Sequence, residues 1–166
     1  MLTGAQLAAA WAGRGVVRAI CLRQGAGRHH APARATLTVD GGLVGDRWAT
    51  GEAPDRGDQV TLMNATVADL IAHVGHPGLD AGDNFFVDMD LSEAALPIGT
   101  VIRLGTALMK ITPKPHTGCK KFRARFGLEA LKWINAPENK ALRLRGLHAE
   151  VLEPGEVAVG DAVVVV

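Results

Sequence analysis

The sequence contains no tyrosine, only 4 % aromatic residues and two cysteines, and its formal charge at neutral pH is +1. With so few rings, the core must be aliphatic. Two cysteines make no disulfide framework, so Cys21 and Cys119 are expected as free thiols in the reducing cytoplasm. The small net charge supplies no general positive surface for phosphate backbones, so no nucleic-acid partner is expected. No segment approaches the roughly 20 apolar residues that span a bilayer, and the N-terminal stretch lacks the basic region of a secretion signal. No membrane association is expected either. Internal repeats, low-complexity tracts and linkers are also absent, so residues 1–166 read as a single domain.

Glycine, by contrast, is plentiful at 20 residues, in a chain that is 48 % hydrophobic and rich in valine. Leu2, Leu7, Ala8 and Trp11 place a short helix within residues 1–14, with Thr3 as its N-cap. "VVRAICLR" (16–23), "ATLTVD" (35–40), "NFFVDMDLS" (84–92) and "TVIRLGTALMKIT" (100–112) read as strands bounded by turns. A second helix is expected from Asn64 as N-cap, through Val67, Leu70, Ile71 and Val74, to a stop at Gly75. Residues 120–135 return to helical spacing, broken at Gly127. Near the C-terminus the apolar phase flips between Leu142/Leu144 and Leu147/Ala149/Val151, which predicts a bulge at Gly146. Many short strands and few helices indicate a mainly β, barrel-like domain with two or three peripheral α-helices.

The charge that exists is concentrated. Lys114, Lys120, Lys121, Arg123 and Arg125 fall within twelve residues around Cys119, with no acidic residue before Glu129. Pro113, Pro115 and Gly118 oppose helix whereas "CKKFRARF" permits it, which places Cys119 at or beside a helix N-terminus. Cations and exposed helix N–H groups both favour the thiolate, the form that ligates metals and attacks sulfur. Packing residue, metal ligand and nucleophile all remain open for this thiol. His116, three residues earlier, can hydrogen-bond to the sulfur or to a substrate. Cys21, between Ile20 and Leu22, is expected to be structural.

Zinc would need further ligands beyond His116 and Cys119, and the adjacent pair His29 and His30 is a weak source of them. His73 and His76 fit a helix C-terminus. Asp46, Arg47, Asp83 and Asn84 lie in turn-like sequences, where structural and functional roles are both open. Arg143 and Arg145 alternate as on one face of a strand, and two adjacent guanidiniums invite an anion.

"GLVGDRW" (42–48), "QVTLMNATV" (59–67), "LDAGDNFFVDMDLSEAALPIGTVIRLGTALMKIT" (79–112), "PHTGCKKFRARFG" (115–127) and "LRLRGLHAEVLEPGEVAVGD" (142–161) occur in that order. Together they resemble a stand-alone MOSC domain, the module named for the C-terminal part of molybdenum-cofactor sulfurases. The resemblance implies a β-barrel fold of the MOSC/PK type and a functional cysteine, matching Cys119. In that family such a cysteine either ligates molybdenum in reductases of N-hydroxylated compounds or carries sulfur as a persulfide. On the first reading the cofactor is molybdopterin, with Cys119 on the metal and His116 and Asn84 orienting groups there. Lys120, Lys121, Arg123 and Arg125, and less directly Arg47, Arg143 and Arg145, would then bind the pterin phosphate or an anionic substrate. The sequence has no cysteine cluster for an iron–sulfur centre and no pyridoxal-phosphate site. The expected partners are a small-molecule substrate and either a redox partner or a cysteine desulfurase. A non-catalytic pterin- or anion-binding module is the remaining alternative.

Overall fold

A computed structural model describes residues 2–11 and 15–166. The N-terminal helix, α1, spans Gly4–Trp11, and the remainder of its expected range, Met1 and residues 12–14, lies outside the described residues. Thr3 caps it reciprocally with Gln6: the Gln6 N–H donates to Thr3 Oγ1 at 3.3 Å and the Thr3 N–H donates to Gln6 Oε1 at 2.8 Å. Leu7 and Trp11, one helical turn apart, are buried.

Alternating apolar residues then build short strands: β1 (Val16–Ile20), β2 (Leu22–Arg23), β3 (His29–His30), β4 (Arg34–Thr38), β5 (Gly42–Leu43) and β6 (Val60–Asn64). After helix α2 (Ala65–Ile71) come β7 (Phe85–Asp88), β8 (Val101–Leu104) and β9 (Ala107–Ile111). Helix α3 (Lys120–Asn135) precedes β10 (Leu147–Glu153), β11 (Gly155–Ala158) and β12 (Val163–Val165). Seven strands form one sheet in the order β1-β7-β6-β10-β9-β8-β12, antiparallel throughout except for the parallel pair β6 and β7. A bridge from Val16 to Ala162, next to β12, nearly closes the sheet into a barrel. The strands β11-β4-β5 form a smaller sheet, and β2 and β3 form a hairpin.

Strand parity sorts the apolar residues into two cores. Val60 and Leu62 of β6 and Phe85 and Val87 of β7 fill the barrel. Their neighbours Met63 and Phe86 face outward, where α1, α2 and α3 cover them. Each fully buried Leu, Ile, Val or Phe contributes about 1.5–3 kcal/mol of transfer free energy, so both faces of the sheet hold the fold. The mainly β, barrel-like architecture with three peripheral helices agrees with expectation.

Four local expectations are corrected. The strand expected over 16–23 divides at Cys21, whose N–H donates to the Asn84 carbonyl at 2.8 Å. Helix α2 is capped by Asn64, whose side chain accepts from Val67 N, but it ends at Ile71 rather than near Gly75. His73 and His76 exchange both backbone hydrogen bonds across a tight turn, with Gly75 at φ 95°, and this competes with continued helix. The 142–145 segment is not a strand. Pro137 opens a 3₁₀ helix over Pro137–Leu142, and Arg143 caps it in a left-handed conformation at φ 49°. Arg143 and Arg145 therefore do not share a strand face. Gly146 is the turn leading into β10, not a bulge: its φ is 105°, and a Cβ there would lie 2.1 Å from the Leu62 carbonyl oxygen. The register irregularity in β10 falls between Val151 and Glu153.

Candidate functional site

Cys119 is the N-cap of α3, in extended conformation, and its carbonyl accepts the Arg123 N–H at 2.9 Å. The helix is broken at Gly127, where φ is 88° and ψ is 172°, so its second half returns toward the first residues of the segment. Asn135 reaches back to Gly118: its Oδ1 accepts the Gly118 N–H at 3.0 Å, and its Nδ2 donates to the Gly118 carbonyl at 3.2 Å. A Cβ at Gly118 would come within 2.7 Å of Leu131. The backbone just before the cysteine is thus fixed by the helix that follows it.

Cys119 is exposed and Cys21 is buried. Burial opposes ionisation of Cys119, and the sulfur stops short of a full capping hydrogen bond. Even so, the N–H groups of Phe122 and Lys121 and the charges of Arg145 and Lys121 outweigh that cost and lower its pKa. Burial dominates at Cys21, whose thiol is pushed up to about 12.

Beneath the cysteine loop lies a buried charge cluster. Asp83, fully buried, accepts from an Arg145 terminal nitrogen and, at 2.7 Å, from His116 Nε2. Its desolvation is outweighed by the positive charges of Arg145 and His116, which hold its pKa down at about 2. Because a carboxylate can only accept, His116 Nε2 carries the proton. Among the described residues, the other ring nitrogen, Nδ1, has no hydrogen-bond partner. His148 packs against His116 with ring centroids 4.5 Å apart, and its Nδ1 donates to the Lys114 carbonyl at 3.0 Å. Burial first, and His116 second, push the His148 pKa down. A Cβ on Gly146 would lie 3.3 Å from His116 Cδ2, so this glycine gives the imidazole its room.

A cleft of about 200 Å³ opens beside Cys119, with Arg23, Arg28, Arg47, Lys121, Arg125 and Arg145 around it. Two of these cations have carboxylate partners. Arg23 makes a bidentate pair with buried Asp46 at 3.0 and 2.7 Å, and Arg145 pairs with Asp83. Among the described residues, Arg28, Arg47, Lys121 and Arg125 form no ion pair with a carboxylate. Arg125 donates instead to the Asp80 carbonyl at 2.6 Å. The Nε of Arg145 is buried without a hydrogen-bond partner. Four uncompensated cations beside an ionisable thiol make an anion site.

The expected site residues divide accordingly. His116, Cys119, Lys121, Arg125, Arg47 and Arg145 line this cleft, whereas Lys120 and Arg123 are exposed on α3 and do not. Asn84 lies under the site, fully buried: its Oδ1 accepts from Thr61 N–H at 3.1 Å, and its Nδ2 donates to Asp46 Oδ1 at 3.1 Å. It therefore supports Asp46 rather than facing a ligand. Arg143 points elsewhere, donating to the carbonyls of Leu96 at 2.6 Å and Leu91 at 3.3 Å. Arg23, Arg28 and His148 were not among the expected residues. "RQGAGRH", a glycine turn flanked by cations, was the available signal for the first two. For His148 it was position: it faces away from Leu147 and Ala149.

Among the described residues, no three His, Cys, Asp or Glu side chains cluster as a metal site. His73 Nε2 lies 2.7 Å from the Arg125 carbonyl, and His76 Nδ1 lies 2.8 Å from Asp80 Oδ2. No helix among the described residues is long and apolar enough to cross a membrane.

Fold and site together define a barrel-like β protein that presents an exposed thiol with a lowered pKa at the rim of a cationic cleft. The MOSC domain family model matches residues 58–164, and the chain belongs to that family, which is associated with the molybdenum cofactor. Among solved structures, the chain is similar to YiiM from Escherichia coli at 18 % identity and TM-score 0.60, covering 91 % of this chain and 69 % of that one. It is similar to YiiM from Geobacillus stearothermophilus at 18 % identity and TM-score 0.57, covering 92 % and 73 %. The YUAD protein from Bacillus subtilis aligns at 18 % identity and TM-score 0.59, covering 90 % and 93 %. At such identities the structures establish a common fold. No curated protein matches the chain.

Proposed function

We propose that this protein is a molybdenum-cofactor-dependent reductase of small N-hydroxylated compounds, with Cys119 as the protein ligand to the metal. The observation that carries the reading is the exposed, acidified Cys119 thiol beside four cations without carboxylate partners. These residues fit the cofactor. One thiolate, with no metal-ligating cluster among the described residues, suits a metal whose other ligands arrive with the cofactor itself. The cationic cleft suits a phosphate, and the partnerless Nε of buried Arg145 adds a donor at its wall.

When bound, the cofactor would supply two-electron redox chemistry. The chain's own residues would do the rest. Cys119 would hold the metal, and Arg28, Arg47, Lys121 and Arg125 would bind the phosphate. His116, fixed by Asp83 through Nε2, would present Nδ1 to the leaving hydroxyl. Cleavage of N–OH to N–H and water consumes two electrons and two protons. The electrons would come from a redox partner, and the His116 imidazole would relay one of the protons.

Exposure of the thiol also favours a second reading, carriage of a persulfide loaded by a cysteine desulfurase. One experiment separates the two: metal and pterin content of wild type and Cys119→Ser, each expressed with an intact cofactor pathway. Ligation predicts that both are lost in the variant. Cofactor retained in full by Cys119→Ser contradicts ligation. A single added sulfur on Cys119 after incubation with desulfurase and cysteine, without bound metal, would establish the carrier.

A further inference from the structure

A second cleft, of about 670 Å³, shares His116 and Arg145 with the cationic one, and we read these two side chains as the wall between them. On the reading above, the cationic cleft of about 200 Å³ takes the phosphate and the metal-bearing end of the cofactor, whereas the second falls within the roughly 300–1,000 Å³ typical of small-molecule sites. Its floor is apolar, from buried Ile134, Leu144 and Leu147, and Ile98, Pro115 and Pro137 line it as well.

The charges around it balance. Lys114 binds Asp55 at 3.0 Å and also Asp58, and Arg145 binds Asp83. The remaining cations of the lining, Arg143 and Lys140, are offset by Glu93, whose charge acts on Arg143, and by the second carboxylate on Lys114. The second cleft therefore offers apolar area without net attraction for either charge. The two spaces differ in size and in electrostatics, yet they share His116 and Arg145, and Cys119 lines the smaller one.

We propose that the larger cleft binds the uncharged, apolar body of the substrate while its reacting end crosses the His116–Arg145 wall to the Cys119 side. This assignment rests on the reading of Cys119 as the reaction centre and adds the class of substrate: a small molecule with an aromatic or aliphatic body, not a polar or highly charged one. Ile98, more than half exposed at 59 %, is the specificity-determining residue least tied to the fold. An apolar side chain there favours such a body and a carboxylate opposes it.

The test compares two thiol-alkylating reagents on the full chain produced without cofactor: iodoacetamide, and N-benzyliodoacetamide, which carries an aromatic body. Glutathione supplies the intrinsic ratio of their rates. In wild type, N-benzyliodoacetamide should label Cys119 at least tenfold faster, relative to iodoacetamide, than glutathione predicts, and the rate should saturate with reagent. Ile98→Leu should keep that excess. Ile98→Asp should remove it, with a far-UV circular-dichroism spectrum and urea midpoint matching wild type reporting an intact fold. Lys121→Ala should slow both reagents in proportion. A wild-type ratio equal to that of glutathione, or an excess that survives Ile98→Asp, would overturn the assignment. The readout needs no metal, so its failure is distinct from failure of the molybdenum reading, which the metal and pterin assay detects.

Discussion

Cys21 and Cys119 are the same residue placed in two opposed environments. Cys21 lies between the sheet and the helices, among Met63, Phe86 and Phe122, with its pKa pushed up to about 12. Cys119 lies at the rim, where cations and helix N–H groups lower its pKa despite partial burial. The difference shows that the ionisation of a thiol here is set by surroundings more than by residue type. Within the same molecule, the covered face of the sheet opposes the thiolate and the open loop favours it.

The strongest way to break this contrast is to remove the buried carboxylate that organises the armed side. Asp83→Asn leaves the Arg145 guanidinium without its charge partner, and should cost about 3–5 kcal/mol in urea unfolding at neutral pH. The pH dependence has a definite sign. The folded pKa of Asp83, about 2, lies below the ordinary 3.8, so its stabilisation is fully present above about pH 4 and is lost as pH falls toward 2. That share, roughly 2 kcal/mol, should disappear between those pH values in wild type and be missing from the acid response of Asp83→Asn.

A second substitution sharpens the comparison directly. Cys21→Ser places a hydroxyl where the native residue is 0 % exposed and should cost about 1–3 kcal/mol. Cys119→Ser, at an exposed cap position, should change stability by less than about 0.5 kcal/mol while abolishing thiol chemistry. Equal stability losses would mean that the two environments are not distinct.

The smallest effect concerns the bracket on Gly118. Asn135→Ala removes both hydrogen bonds to the residue before Cys119 and loosens the backbone that holds the sulfur near the Lys121 and Phe122 N–H groups. Iodoacetamide should then react about threefold more slowly at neutral pH. Lys132→Ala, on the exposed side of the same helix, should leave the rate unchanged.

Features set by neighbouring residues were legible from the sequence. The Asn64 cap, the break at Gly127, the hairpin of β8 and β9 and the helix start beside Cys119 each follow from a few adjacent side chains. Features set across the chain were not. Asp83 and Arg145 are 62 positions apart and meet only because β6 lies between β7 and β10 in the sheet. Arg28 reaches the cleft on the β2–β3 hairpin, and no local pattern reports where a hairpin tip lands. The alternation of Leu142, Arg143, Leu144 and Arg145 imitates a strand, but Pro137 and Gly146 commit that segment to turns. Asn84, which read as a ligand-facing turn residue, is instead consumed by buried hydrogen bonds with Thr61 and Asp46.

The most direct test of an armed Cys119 is the pH profile of its alkylation by iodoacetamide, followed by intact mass in a Cys21→Ala background so that one thiol reports. The profile should have its midpoint below the ordinary thiol value of 9.0, and it should move upward in Lys121→Ala. A midpoint at or above 9.0 in the parent protein would contradict the account.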